Sequence, residues 1–165
     1  MGVDSSNSSA VAQRWELAVT GERIVTEARR WIGTPYVHQV SLCGAGADCL
    51  GLLRGVWRGL YGCEPGVVPA YTPDWSEPQG DEMLWRGLAA LMEGKPVEDE
   101  ASGDVILFRM CDRGVAKHLG IQTRIGAEAR FIHAYSGHAV VETALSAPWQ
   151  RRIVARFALP DIQEG

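Results

Sequence analysis

The chain has 165 residues, of which 46% are hydrophobic and 22% charged, and it contains six tryptophans. This length and composition predict one globular domain with a substantial core and leave too little chain for two. The formal net charge of −4 provides no electrostatic basis for binding nucleic acid. No apolar run approaches the roughly 20 residues needed to span a bilayer, so we also expect no membrane insertion.

The N-terminal end is polar and lacks the apolar stretch of a signal peptide. We therefore expect synthesis in the cytoplasm without a signal peptide. Residues 1–15 are expected to form a flexible arm, and residues 16–165 a single domain.

The first part of the chain has the spacing of apolar residues that is typical of helices. Helices are predicted over Glu22–Ile32, from about Asp48 to Tyr61, and over Asp81–Glu93. Each of them is followed by a glycine that favours its termination, namely Gly33, Gly62 and Gly94.

From residue 104 onward the pattern changes to short segments rich in Val, Ile and Phe, which are typical of strands. The predicted strands are Asp104–Met110, Lys117–Thr123, Arg130–Tyr135, Ala139–Thr143 and Ile153–Leu159. Helices first and strands afterwards predict an α+β fold, with N-terminal helices packed on a C-terminal antiparallel sheet of about five strands.

The segment Gly46-Ala47-Asp48-Cys49 predicts a turn that places a cysteine in the first turn of the second helix. Leu52 and Val56 follow at helical spacing, so Cys49 is expected to point inward with them. Free N–H groups at a helix N-terminus favour a thiolate and can lower a cysteine pKa from about 8.5 to as low as roughly 3.5. The pattern indicates a nucleophile, although a buried cysteine without a chemical role has the same spacing.

A cysteine nucleophile needs a base, and the histidines of the chain are His38, His118, His133 and His138. His118 and His133 lie within predicted strands. If these strands are adjacent and antiparallel, both imidazoles fall on one face of the sheet. This arrangement would place a thiol and two imidazoles in a row, with His118 as general base and His133 as its orienting group. For His38 and His138 we expect ordinary core or surface positions.

A metal site is the alternative for the cluster of His38, Cys43 and Cys49. Their spacing lacks the short paired ligands of structural zinc sites, so we predict neither a metal nor another cofactor. Cys43, Cys63 and Cys111 are irregularly spaced, unlike the cysteines of a disulfide-rich secreted scaffold, and we expect reduced thiols.

Five short motifs follow one another along the chain: Gly33-Thr34-Pro35-Tyr36, Gly46-Ala47-Asp48-Cys49, Gly103-Asp104-Val105-Ile106-Leu107-Phe108, His118-Leu119-Gly120-Ile121 and Phe131-Ile132-His133-Ala134. In this order they resemble the NlpC-type cell-wall peptidases, over roughly residues 22 to 158. The resemblance implies a papain-like α+β fold and a cysteine endopeptidase acting on peptidoglycan stem peptides. The bond that such enzymes typically hydrolyse is the amide between γ-D-glutamate and diaminopimelate.

The resemblance also implies roles for individual residues. Cys49 would be the nucleophile, His118 the general base and His133 the orienting third residue. The Tyr36 hydroxyl, with the Cys49 backbone N–H, would stabilise the oxyanion. Asp48 matches an acid that in relatives helps to hold the free amine of the stem peptide. No cofactor is implied.

The form Asp48-Cys49-Leu50-Gly51-Leu52 is most similar to the branch found in tail modules of phages and phage-like gene-transfer particles. This resemblance implies tail proteins as partners, incorporation in such a particle, and action in the periplasm or cell wall.

The chain departs from the family pattern at three places. His38 and Gln39 stand where many relatives have two glycines, Leu50 stands where many have serine, and a longer hairpin spans residues 123–130. Two other functions stay open. The protein could be a structural tail component that docks through exposed tryptophans such as Trp75 and Trp149, or an amidase or acyltransferase on the same scaffold.

Overall fold

The computed structural model describes residues 18–66, 71–73 and 79–161. Its helices are α1 (Gly21–Arg29), α2 (Cys49–Tyr61), α3 (Met83–Leu91) and the short α4 (Ala147–Gln150). Its strands are β1 (Ser41–Leu42), β2 (Gly46–Ala47), β3 (Glu93–Lys95), β4 (Val105–Arg109), β5 (Ala116–Arg124), β6 (Arg130–Ala134), β7 (Val140–Ala144) and β8 (Ile153–Ala158). The predicted α+β class is confirmed. The predicted arm at residues 1–15, the boundary at residue 16 and Trp75 lie outside the described residues.

An antiparallel sheet of six strands, in the order β3-β8-β4-β5-β6-β7, forms the centre of the molecule. The five predicted strands correspond to β4–β8. The sixth, β3, occupies Glu93–Lys95, where the sequence predicted only the end of a helix. Helix α3 ends at Leu91, and the chain after it is extended and pairs with the edge of β8.

Helices α1 and α2 pack against each other and against β5, and α2 also reaches β6. Gly55 of α2 makes room for Trp31, which follows α1, because a Cβ atom at Gly55 would lie 1.8 Å from the ring of Trp31. The buried side chains of α1 include Ile24, Val25 and Ala28. A smaller apolar cluster around Phe108 and Phe131 is packed beneath Trp149 of α4. Within residues 18–66, 71–73 and 79–161, no helix is long and apolar enough to cross a bilayer.

Candidate active site

Cys49 is the first residue of α2 and is buried, as the sequence predicted. The helix begins here because Asp48 caps it: Oδ1 of Asp48 accepts the Gly51 N–H at 2.7 Å. Gly51 also permits the preceding loop to lie close to the helix, since a Cβ atom at this position would be 1.9 Å from the Val40 carbonyl oxygen. The nucleophile candidate is therefore held on a capped, rigid helix start.

The Cys49 thiol differs from the expectation in its ionisation. Burial raises its pKa to about 12, and the charge of Asp48 adds to this rise, whereas backbone N–H groups such as that of Leu119 act in the opposite direction. The thiol donates a hydrogen bond to the Lys117 carbonyl, with Sγ 3.9 Å from the oxygen. Desolvation outweighs the helix N-terminus here, so the resting thiol is neutral.

His118 and His133 lie on β5 and β6, which are adjacent and antiparallel, so the condition under which both imidazoles share one face of the sheet is met. Nε2 of His118 is 2.8 Å from Nδ1 of His133. Both side chains are buried, with residue exposures of 7% for His118 and 2% for His133. Because Nε2 of His118 is engaged in this way, its Nδ1 is the nitrogen that remains for the thiol.

Both imidazoles are neutral near pH 7. Burial lowers the pKa of His118 to about 3, with a further contribution from His133. Burial likewise lowers the pKa of His133 to about 4, with a contribution from His138. Each ring therefore carries a single N–H hydrogen and one nitrogen able to accept a hydrogen bond.

Thr143, on β7, continues the hydrogen-bonded row formed by His118 and His133. This residue was not anticipated from the sequence. Its Oγ1 lies 3.1 Å from Nε2 of His133. A threonine within a strand is an ordinary β-former, so its residue type alone signals nothing more. Only the pairing of β6 with β7, which sets Thr143 opposite Phe131, places its hydroxyl beside His133.

A cleft of about 150 Å³ opens beside the cysteine. Four of the five predicted site residues line it, namely Tyr36, Asp48, Cys49 and His118. The fifth, His133, is attached to this set through its hydrogen bond with His118. The structure therefore brings the five residues together.

Tyr36 lies in a short bridged segment whose backbone is bonded to two other parts of the chain. Its backbone N–H donates to the His138 carbonyl at 3.3 Å, and it forms an isolated bridge with Ala47, two residues before Cys49. Burial raises the pKa of the Tyr36 phenol, and the neighbouring Cys49 and Asp48 add to the effect. The hydroxyl therefore stays protonated and able to donate a hydrogen bond.

The Asp48 carboxylate is buried among donors of this chain. Its Oδ2 accepts the Gln39 N–H at 2.7 Å and the Tyr71 hydroxyl, and it lies 3.6 Å from Nδ1 of His38. Nε2 of His38 lies 3.1 Å from the Tyr71 carbonyl oxygen. Burial raises the pKa of the Tyr71 phenol, and its bond to Asp48 adds to this rise.

Tyr71 lines the cleft and was not expected at the site. His38 also lines it: its own sequence context favoured an ordinary core or surface position, whereas the departure from the family pattern at His38 and Gln39 pointed to the rim of the cleft. Tyr71 lies in a stretch without helical or strand periodicity and 23 residues from its partner Asp48. No local pattern could have linked them.

Trp149 is not the exposed docking residue that the sequence suggested. Its ring is half-buried, with its centroid 5.7 Å from that of His118 and 5.1 Å from that of His133. Helix α4 follows β7 and carries the indole back over the sheet face that bears both imidazoles. Trp149 therefore shields the histidine pair from water.

The alternative of a metal centre finds no support in the arrangement of the side chains. Among the residues that the structure describes, no three or more His, Cys, Asp or Glu side chains are grouped to hold a metal ion. Cys43 is exposed and donates to the Arg30 carbonyl, with Sγ 3.4 Å from the oxygen. Cys63 and Cys111 are also exposed, and all four cysteines are free thiols.

No family model matches this sequence, and no curated protein matches it. Solved structures do match. The NlpC/p60 domain of the peptidoglycan hydrolase SagA superposes with a TM-score of 0.58 at 23% identity, covering 86% of this chain and 100% of that one. The protein has the NlpC/p60 fold. The fold that the five motifs predicted is thus confirmed.

Two longer proteins have the same NlpC/p60 fold. A Staphylococcus aureus Mu50 protein described as similar to a lipoprotein of the NLP/P60 family gives a TM-score of 0.58 at 20% identity over 84% of this chain. An NlpC/p60 family protein from Bacillus cereus ATCC 10987 gives 0.59 at 17% identity over 87%. The present chain covers 41% of each of these two proteins.

Proposed function

We propose that this protein is a cysteine peptidase that hydrolyses peptidoglycan stem peptides. The observation that carries the proposal is the row formed by a buried thiol, His118 and His133 at the edge of one cleft. The NlpC/p60 fold supports it, because one of the matching structures is described as the domain of a peptidoglycan hydrolase.

In the first step the Cys49 sulfur attacks the carbonyl carbon of the scissile amide while Nδ1 of His118 accepts the thiol proton. A carbon–sulfur bond forms, and the carbonyl π electrons move to the oxygen. The Cys49 N–H at the start of α2 and the Tyr36 hydroxyl are the donors available to this oxyanion. Such donors are commonly worth about 10²–10³ in rate each.

Collapse of the tetrahedral intermediate breaks the carbon–nitrogen bond. His118 returns its proton to the leaving amine, and a thioester between the acyl group and Cys49 remains. Water then attacks the thioester with His118 again accepting a proton, which releases the carboxylate product and regenerates the thiol. His133 holds the ring of His118 throughout by the 2.8 Å hydrogen bond at Nε2.

The resting state is a neutral pair, since burial raises the thiol pKa and lowers that of His118. Proton transfer is therefore coupled to attack on the substrate. Two charges develop: a negative charge on the former carbonyl oxygen of the tetrahedral intermediate, near the positive end of the α2 dipole, and a positive charge on the His118 imidazolium, beside Nδ1 of His133.

We propose the amide between γ-D-glutamate and diaminopimelate as the bond cleaved, on the strength of the motif resemblance. Asp48 and Lys117 line the cleft beside Cys49, and they offer charges of both signs to a substrate that carries amines and carboxylates. Within this proposal Asp48 contributes to the binding of the stem-peptide amine.

We also propose that a phage-like tail carries the protein to the cell wall, where it would act in the periplasm. The form of the Asp48–Leu52 motif supports this placement. Mass spectrometry of purified particles should recover peptides of this chain at a constant ratio to the tail proteins. Particles that cleave the wall but lack the chain would contradict it.

The function is tested by mass spectrometry of purified peptidoglycan after incubation with the wild type, Cys49→Ala and Cys63→Ala. We expect the wild type and Cys63→Ala to give new stem-peptide fragments with a free diaminopimelate amine, and Cys49→Ala to give none. Cys63 is a suitable control because it is exposed and lies beyond the far end of α2. Fragments that retain the stem peptide but lose the glycan would instead indicate an amidase.

A further inference from the structure

Three neighbouring strands each contribute one polar side chain to a single hydrogen-bonded row. His118 on β5 contacts His133 on β6, and Nε2 of His133 lies 3.1 Å from Oγ1 of Thr143 on β7. Thr143 pairs with Phe131, two residues before His133, so both side chains lie on the same face of the sheet. The row therefore continues past the two histidines that the mechanism uses.

The hydrogen atoms of this row can be arranged in two ways. In the first, Nε2 of His118 donates to Nδ1 of His133, and Nε2 of His133 donates to Thr143. Nδ1 of His118 then keeps its lone pair and can accept the thiol proton. In the second, Nδ1 of His133 donates to Nε2 of His118, so the hydrogen of His118 sits on Nδ1 and blocks it as a base.

We infer that Thr143 is a positioning residue that keeps the His118–His133 pair in the first arrangement. Only that arrangement puts a hydrogen on Nε2 of His133, and among the residues that the structure describes the acceptor for this buried N–H is the Thr143 hydroxyl. Removing the hydroxyl leaves the N–H unpaired, which costs free energy, whereas the second arrangement leaves only an unused lone pair. Loss of Thr143 thus favours the blocked tautomer.

The surroundings offer His133 little else to bond with. The rings that pack around it are those of Phe131, Tyr135 and Trp149, with centroids 4.3, 5.7 and 5.1 Å away. Within the described part of the chain, the hydrogen-bond partners of the His133 ring nitrogens are His118 and Thr143, and the Tyr135 hydroxyl is not one of them. The effect of Thr143 on turnover rests on the proposed peptidase function, but its effect on the tautomer does not.

The test compares Thr143→Val, which keeps the β-branched shape, with Thr143→Ser, which keeps the hydroxyl. Nitrogen-15 NMR of the imidazoles reports directly which ring nitrogen carries the hydrogen. We expect the Nε2–H form of both rings in the wild type and in Thr143→Ser. In Thr143→Val we expect His133 to shift to the Nδ1–H form.

A second readout is the rate at which iodoacetamide alkylates Cys49 at pH 7 in proteins whose exposed cysteines are replaced by serine. We expect a loss of about tenfold in Thr143→Val and less than about twofold in Thr143→Ser, because base assistance is impaired only in the former. On a stem peptide, kcat should fall about ten- to hundredfold in Thr143→Val with KM unchanged.

The outcomes separate this inference from the proposed function. A wild-type tautomer and wild-type alkylation in Thr143→Val would overturn the role of Thr143, even if the protein cleaves peptidoglycan. A shifted tautomer and slow alkylation would support it, even if no peptidoglycan is cleaved. If Thr143→Val unfolds, the same two measurements on Thr143→Ala, which also lacks the hydroxyl, decide the question.

Discussion

The hydroxyl of Tyr71 donates to the carboxylate of Asp48, the residue directly before the candidate nucleophile. The same carboxylate caps α2 through Gly51 and accepts the Gln39 N–H, both at 2.7 Å. The buried Asp48 side chain therefore stabilises the start of α2. It also holds the segments that contain Gln39 and Tyr71 at the edge of the cleft.

Replacing Tyr71 by phenylalanine should loosen this edge without touching the reacting atoms. A hydrogen bond to a charged group contributes about 1.5–3 kcal/mol, so we expect the free energy of unfolding to fall by an amount in this range. The KM for a stem peptide should rise severalfold while kcat changes little, because Tyr71 lines the cleft. Urea unfolding measures the change in stability, and steady-state kinetics measure KM and kcat.

Tyr61→Phe is the matched control for this change. The Tyr61 hydroxyl also donates to a single acceptor, the Pro160 carbonyl, but Tyr61 lies at the far end of α2 from Cys49. Tyr61→Phe should lower the free energy of unfolding without changing the KM for the stem peptide. An equal rise of KM in both variants would contradict the role given to Tyr71.

Asp48→Asn should make the Cys49 thiol more acidic. The Asp48 charge raises the pKa of this thiol, so an uncharged amide of the same shape removes that contribution. The amide keeps an oxygen that can cap α2, whereas Asp48→Ala loses the cap at a cost of about 1 kcal/mol. The pH dependence of Cys49 alkylation should shift to lower pH in Asp48→Asn, and an unchanged profile would contradict this electrostatic account.

The stability of the protein should fall as the pH is lowered from about 6.5 to 4. The pKa values of His118 and His133 lie near 3 and 4 in the folded protein, below the value of about 6.5 expected in the unfolded chain. In this window the unfolded chain binds more protons, so each histidine lowers the free energy of unfolding by up to about 1.4 kcal/mol per pH unit.

Urea unfolding at a series of pH values tests this dependence. His118→Gln should flatten the slope below pH 6.5, because it removes one of the buried imidazoles. His138→Gln, which changes an exposed histidine, should flatten the slope much less, because His138 makes only the smaller contribution to the low pKa of His133. A wild-type slope in His118→Gln would show that other groups cause the acid sensitivity.

Trp149→Ala should move the acid limb of the activity profile to higher pH. The indole covers His118 and His133, and its removal admits water that solvates an imidazolium. Because burial is the main cause of the low pKa of His118, exposure raises that pKa toward 6.5 and more of the base is protonated at pH 5–6. The pH profile of kcat/KM measures the shift, and Trp149→Phe, which keeps an aromatic cover, should shift less.

The sequence predicted the elements whose signals are local and repeated. Helix α2 and strands β4–β8 follow from the spacing of apolar residues, and the position of Cys49 follows from the turn predicted at Gly46-Ala47-Asp48 before the helix. These features need no knowledge of distant contacts. The adjacency of the two histidine strands was a condition of the sequence argument, and the structure meets it.

What the sequence missed depends on contacts between distant segments. Strand β3 and the β1–β2 pair are too short to show a period. The bond from Tyr71 to Asp48 and the placement of Thr143 beside His133 depend on how separate segments meet in space. The pKa of Cys49 was expected to fall because the helix N-terminus is visible in the sequence, whereas the burial that raises it is created by the fold.

The central claim is covalent catalysis by Cys49. The most direct test compares the rates at which Cys49→Ala and Cys63→Ala hydrolyse a defined stem peptide. Intact-protein mass spectrometry after an acid quench then shows whether an acyl group is bound to the protein. We predict loss of hydrolysis in Cys49→Ala by at least about 10³-fold, since the nucleophile is removed. Cys63→Ala should retain wild-type rates and carry the acyl fragment on Cys49. Hydrolysis by folded Cys49→Ala at the wild-type rate would contradict the account.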